Sequence, residues 1–141
     1  AFLNLDLPGS RYVVGDGPQL AALRTAYPQV QFVGAKQGEA LARHYAAADA
    51  LVFPSLTDTF GIVMLEAMAC GVPVAGFPVR GPVDLVRQGV TGYLDTDLRK
   101  AALHALNADP RHCRDFALQY SWHKSARYFV ENLVPANGQK A

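Results

Sequence analysis

The sequence predicts an α/β fold: a parallel sheet with helices on both faces. Three observations predict it. Short β-rich runs alternate with helical patterns through the first two thirds of the chain, which is the order of βαβ units. Several of those runs, such as Leu51-Val52-Phe53 and Val72 to Ala75, are continuously apolar rather than alternating. Strands buried on both faces read that way. The chain has 141 residues, half of them hydrophobic, which suits one domain with a real core.

The elements follow in order. Ala1 to Leu7 reads as the end of a helix, and Pro8-Gly9-Ser10 as a turn. Arg11 to Val14 is a short strand stopped by Gly15-Asp16-Gly17-Pro18. Pro18 suits the first turn of the next helix, Gln19 to Tyr27, where Leu20, Leu23 and Tyr27 recur at helical spacing. Val30 to Val33 is a strand, Gly34 to Gly38 its loop, and Glu39 to Ala48 a helix carrying Leu41 and Tyr45. The run 49–53 is the third strand, 61–70 an apolar helix, 72–76 the fourth strand, 82–88 a short helix and 92–94 the fifth strand. Three extra helices follow: 97–107, 111–120 and 122–133. The sequence thus divides into one unit, 1–134, and a tail, 135–141, that reads as disordered.

Composition excludes several functions. Thirteen basic and twelve acidic residues leave a net charge of +1, and no basic cluster interleaves with aromatics, so no nucleic-acid surface is expected. No apolar run approaches the roughly 20 residues of a membrane span, and no signal peptide is visible. Cys70 and Cys113 form neither a disulfide framework nor a ligand pair, which points to a reducing cytoplasm. His44, His104, His112 and His123 show no metal-ligand spacing. His44 is expected to be solvated, and Trp122 to anchor the last helix in the core. Gly15-Asp16-Gly17 lacks the third glycine of a dinucleotide fingerprint, because position 20 is Leu20, so a tight turn is the better reading. Asp95-Thr96-Asp97 spells the D-x-D of some metal sites, but it opens a helix, and capping explains it.

The chemistry concentrates in residues 53–76. A strand ends at Phe53-Pro54, a polar loop runs from Ser55 to Thr59, and Phe60-Gly61 opens the apolar helix. Asp58 lies at the mouth of that turn. Glu66 lies within the helix, roughly 7–8 Å along its axis from Gly61 at ~1.5 Å per residue. Asp58 read alone complements a helix N-terminus. Glu66 is flanked by Val63, Met64, Leu65, Ala67, Met68 and Ala69. A helix apolar nearly all round is expected to be buried, and a buried carboxylate needs a hydrogen-bonding partner.

The run S-x-T-D-T-F-G-I-V-M-L-E-A-M-A-C-G-V-P-V resembles the retaining glycosyltransferases of the GT-B fold, group 1 or family 4. Gly81-Pro82-Val83-Asp84-Leu85-Val86 and Gly89-Val90-Thr91-Gly92-Tyr93-Leu94 resemble the segments that follow in that family. The resemblance covers roughly residues 10–133. It implies a Rossmann-like donor-binding half, with a nucleotide-diphosphate sugar as substrate and no metal or other cofactor. It assigns Asp58 to the transferred sugar, as catalytic or positioning group, and Thr59, Phe60 and Gly61 to sugar and phosphate through backbone. It assigns Glu66 to the ribose hydroxyls, and Val33, Gly34 and Ala35 to the base. Asp58 stands where the family more often has Glu. The family's diphosphate-binding Arg and Lys, and its N-terminal acceptor domain, have no counterpart here. The fragment alone is therefore expected to be inactive, and the full-length enzyme to work in the cytoplasm or at the inner face of the membrane. Alternatives are an epimerase of the same fold, or a non-catalytic nucleotide-binding or assembly module.

The resemblance also implies six strands in the order 3-2-1-4-5-6. Matched to it, the first, central strand is absent. The gap is ~9–10 Å, twice the normal strand spacing. Three outcomes are open: a preceding segment fills it, a partner chain or self-association fills it, or the flanking strands close up and pair Val13 with Val52. The first is favoured.

Overall fold

The computed structural model describes residues 1–134; the expectation of a disordered tail lies outside the described residues. The strands are β1 (Arg11–Val14), β2 (Val30–Gly34), β3 (Leu51–Phe53), β4 (Val74–Gly76) and β5 (Gly92–Leu94). The helices are α1 (Leu20–Ala26), α2 (Gly38–Ala46), α3 (Ile62–Ala69), α4 (Pro82–Leu85), α5 (Leu98–Ala105), α6 (Pro110–Ala117) and α7 (Trp122–Glu131). Every strand pairing is parallel, as the continuously apolar runs required. Ala1 to Leu7 departs from expectation. Only Phe2–Asn4 forms a 3-10 turn, and Leu5 is extended.

The strands form two sheets, β1-β2 and β3-β4-β5. Val13 pairs with Phe32, and Val52 with Ala75. The flanking strands therefore do not close up across the expected gap.

The core lies in the second sheet. Alternate residues of β4 point to opposite faces. Val74 joins Phe53, Met64, Met68, Leu85, Val86, Cys113 and Ala117 on one face. Ala75 joins Leu98, Ala101, Ala102 and Ala105 on the other. Both faces are thus covered, with α3 and α6 packed on each other and α5 on β4 and β5. Leu5 and Leu7 pack at the margin of the second cluster.

Two local devices hold this sheet's end. The Thr91 hydroxyl, fully buried, accepts the Arg87 N–H at 2.9 Å. The Gln88 amide donates to the Leu94 carbonyl at 3.0 Å and accepts its N–H at 2.9 Å, so a side chain completes β5.

Trp122 corrects another expectation. It is 84% exposed, and Phe129 is 69% exposed. The face of α7 that carries them is apolar, but no described element packs on it. His44 is half-buried rather than solvated, with Nδ1 2.7 Å from the Ala40 carbonyl. No helix among the described residues is long and apolar enough to cross a membrane.

Candidate functional site

The loop from β3 to α3 is shaped by its backbone. Asp58 Oδ1 accepts the Phe60 N–H at 3.0 Å, an Asx turn that holds the loop before the helix starts. Gly61 is the N-cap of α3, at φ 73° and ψ 60°. A side chain is disfavoured at such angles, and a Cβ there would also run into Met64 Cε. No cap side chain bonds the first turn. The N–H groups of Ile62 and Val63 carry no hydrogen bond among the described residues. They are open donors at the positive end of a helix.

A second loop is pressed against this one. Gly81 precedes α4 at φ 92°, and a Cβ there would lie 2.8 Å from the Asp58 carbonyl oxygen and 3.6 Å from the Phe60 nitrogen. The sequence marks Gly81 as part of a motif but not as a wall of the site. The contact is 23 residues removed in sequence, so no local signal reveals it.

Glu66 is exposed, which corrects the burial argument made for it. Helix α3 buries Met64, Ala67 and Met68 and presents Ile62 and Glu66, one turn apart, outward. The carboxylate does have a partner. Tyr45, on α2, donates its phenolic O–H to Glu66 Oε2 at 3.2 Å. Burial, reinforced by the Glu66 carboxylate, pushes the Tyr45 phenol up to about 12, so it is a neutral donor at physiological pH. The sequence places Tyr45 on the same helix as Leu41 and gives no sign of this bond.

The β2 end is arranged differently. Pairing shifts between Val13 and Val14, so that Val14 faces Gly34 and Val33 is skipped. The Val33 carbonyl accepts Lys36 Nζ at 2.6 Å, and the Gly34 carbonyl accepts the Gly15 N–H at 3.0 Å. Ala35 stays exposed. The described hydrogen bonds do not join Val33, Gly34 and Ala35 to Asp58, Thr59, Phe60 and Gly61. Each group lies at or just beyond the C-terminal end of its own strand, where open α/β sheets bind ligands.

The competing motifs take their structural roles. Gly17 N–H donates to Asp16 Oδ1 at 2.7 Å, a tight turn. Asp97 caps α5, accepting from the Arg99 and Lys100 N–H groups. Asp95 pairs with Lys100 at 2.7 Å, and that ammonium holds its carboxyl below the usual range. Two shallow hollows lie elsewhere. One, of about 280 Å³, is lined by Arg87, Thr91, His112 and Phe116, and the other, of about 540 Å³, by Pro8, Asp49, Pro73 and Pro110. Neither is lined by a predicted site residue.

A family model of group 1 glycosyl transferases matches residues 10–107. A GDP-mannose-dependent alpha-mannosyltransferase of Corynebacterium glutamicum is 44% identical over 82 residues, covering 58% of this chain and 20% of that protein. A D-inositol 3-phosphate glycosyltransferase of Geodermatophilus obscurus is 38% identical over 126 residues, covering 84% of this chain and 27% of that protein. The chain thus spans about a fifth to a quarter of the length of these two relatives. Among solved structures, HepE of Anabaena in complex with UDP-glucose superposes with a TM-score of 0.70 at 22% identity, over 94% of this chain and 43% of that one.

Proposed function

Because the chain belongs to the group 1 glycosyl transferases, we propose that it is the donor-binding part of an enzyme that moves a hexose from a nucleoside-diphosphate sugar to a saccharide or lipid acceptor. The observation that carries this reading is the open first turn of α3. Its unbonded N–H groups lie beside a loop that two glycines hold close. In the transfer, the bond from the anomeric carbon to the diphosphate breaks and the electron pair leaves on phosphate. A bond to the acceptor oxygen replaces it with retention of configuration, as in a family 4 enzyme, and the acceptor hydroxyl's proton is taken up by the departing diphosphate. Charge developing on the leaving phosphate meets fixed donors that need no reorganisation. This supply of positive potential serves without a metal.

Asp58 keeps Oδ2 for the sugar while Oδ1 holds the loop. Thr59, Phe60 and Gly61 contact sugar and phosphate through backbone, Glu66 accepts the ribose hydroxyls, and Val33, Gly34 and Ala35 meet the base. The mannosyltransferase relative points to a guanine nucleotide and the HepE complex to a uracil nucleotide, so the donor is defined here as a class. An acceptor-binding domain outside residues 1–134 supplies the other wall of the cleft. The whole enzyme works in the cytoplasm, with peripheral contact to the inner membrane face where the acceptor is a lipid.

The test is titration of the full-length protein with UDP, GDP and ADP. One of them should bind, and Glu66→Ala should weaken it by ~1.5–3 kcal/mol, the worth of hydrogen bonds to a charged acceptor. Asp58→Asn should spare that binding and lower turnover. A protein that binds none of the three is a non-catalytic module of the same fold.

A further inference from the structure

The Tyr45–Glu66 bond has a use that packing alone does not explain. Helix α2 begins immediately after the β2 loop, and α3 begins immediately after the β3 loop. The bond therefore ties together two helices, each of which carries one of the proposed nucleotide-contacting loops at its start. Among the described residues, the other side-chain hydrogen bond between the β1-β2 half and the β3-β5 half is Arg99 Nε to the Asp6 carbonyl, at 2.7 Å. That one touches no proposed site residue.

From this geometry we infer that Tyr45 is a positioning residue: it fixes the Glu66 carboxylate for the two vicinal hydroxyls of a nucleotide ribose. The inference rests on the ribose role proposed above. Glu66 is exposed and has three side-chain torsions, so without a partner it samples many orientations. A phenol held in a half-buried ring selects one of them. The bond occupies Oε2 from one side, and Oε1 accepts nothing among the described residues. A carboxylate has about four acceptor positions, so at least two remain for a diol. The phenol is suited to this task because it stays protonated. It donates one hydrogen and adds no charge that competes with the diphosphate.

The test compares Tyr45→Phe, Glu66→Ala and the double variant in the full-length protein. Each is titrated with whichever of UDP, GDP and ADP the parent binds best, and with its 2′-deoxy form. Tyr45→Phe removes one oxygen and keeps the ring, so the melting temperature should hold. Its affinity for the ribonucleotide should fall by about three- to tenfold, the cost of ordering one free side chain on binding. Its affinity for the 2′-deoxy form, which keeps only the 3′-hydroxyl, should fall by less. KM for the donor should rise in the same proportion while kcat at saturating donor stays level. The double variant should be no worse than Glu66→Ala. If Glu66→Ala loses ribose discrimination and Tyr45→Phe keeps it, the positioning role is overturned and the ribose reading stands. An equal loss for both nucleotides in Tyr45→Phe, with a lowered melting temperature, marks a structural tyrosine and also overturns it. If Glu66→Ala itself keeps the discrimination, the ribose reading fails and this inference falls with it.

Discussion

The two halves of the molecule carry the same βαβ grammar and reach different degrees of burial. In residues 1–50, Val30 alone is buried. Tyr12 is 54% and Val14 38% exposed, on a strand paired along one edge. In residues 51–117, β4 is buried at every position because β3 and β5 flank it and helices cover both its faces. The runs Tyr12-Val13-Val14 and Val74-Ala75-Gly76 are equally strand-like. What separates them is the number of neighbours. Burial is a property of a strand's place in a sheet, and a strand lacking one neighbour keeps apolar surface in water.

The largest expected effect tests this difference directly. Met64→Ala, in a side chain with no exposure, should cost ~2–5 kcal/mol, the range for emptying a packed core site. Val14→Ala, at a partly exposed position of β1, should cost less than about 1 kcal/mol. Denaturant unfolding with an unchanged slope would measure both. Similar costs for the two would break the comparison. It would mean that β1 is buried in solution by something that does not appear in the described residues.

The same contrast explains what the sequence discloses. Strand and helix existence is legible from Arg11 onward, with Gly or Pro marking many of the breaks, whereas the helix end expected over Ala1 to Leu7 is only a 3-10 turn. Boundaries differ by one to three residues, as for the helix expected over 97–107 and found at Leu98–Ala105, and the one expected over 82–88 and found at Pro82–Leu85. Burial was legible only where the chain supplies its own partners. Trp122 is expected to anchor the last helix and Glu66 to be buried among its apolar neighbours, and both are exposed. Local pattern fixes which face of a helix is apolar, but not whether another element lies against it. The contacts that build the site, Tyr45 with Glu66 and Gly81 with Asp58, join residues more than 20 apart. Their residue types are ordinary, so nothing in their own stretches announces them.

A smaller effect is expected where the well-packed half meets the site. Gly81→Ala puts a methyl group against the Asp58 carbonyl and asks a non-glycine residue to hold φ 92°. The strain should be about 1–3 kcal/mol. Because the clash falls on the Asp58–Phe60 loop, donor turnover should drop by more than the stability loss accounts for. Gly9→Ala, also at positive φ but with open space around it, serves as the control. If the two variants lose turnover equally, the contact between the two loops has no functional weight.

The smallest effect uses the cysteines as reporters of how tightly the second half is closed. Cys70 is half-buried at the end of α3, and Cys113 is buried in the core cluster. Burial pushes the Cys113 thiol up to about 11, so little thiolate forms near neutral pH. At pH 8, a thiol reagent should therefore label Cys70 well before Cys113. Cys113 should react only when the core opens. Its labelling should accelerate in Met64→Ala and stay unchanged in Val14→Ala, because opening of the first half does not uncover it. The same thiol adds a modest pH dependence. Its folded value lies above the ordinary 9.0, so its contribution is fully present below pH 9. That contribution is lost as pH rises through about 11, where the unfolded chain ionises more readily. Cys113→Ala, measured in urea at pH 8 and at pH 10.5, should flatten this part of the curve. An unaltered curve would mean that the thiol is reached by water in the folded state, and that the second half is looser than its packing shows.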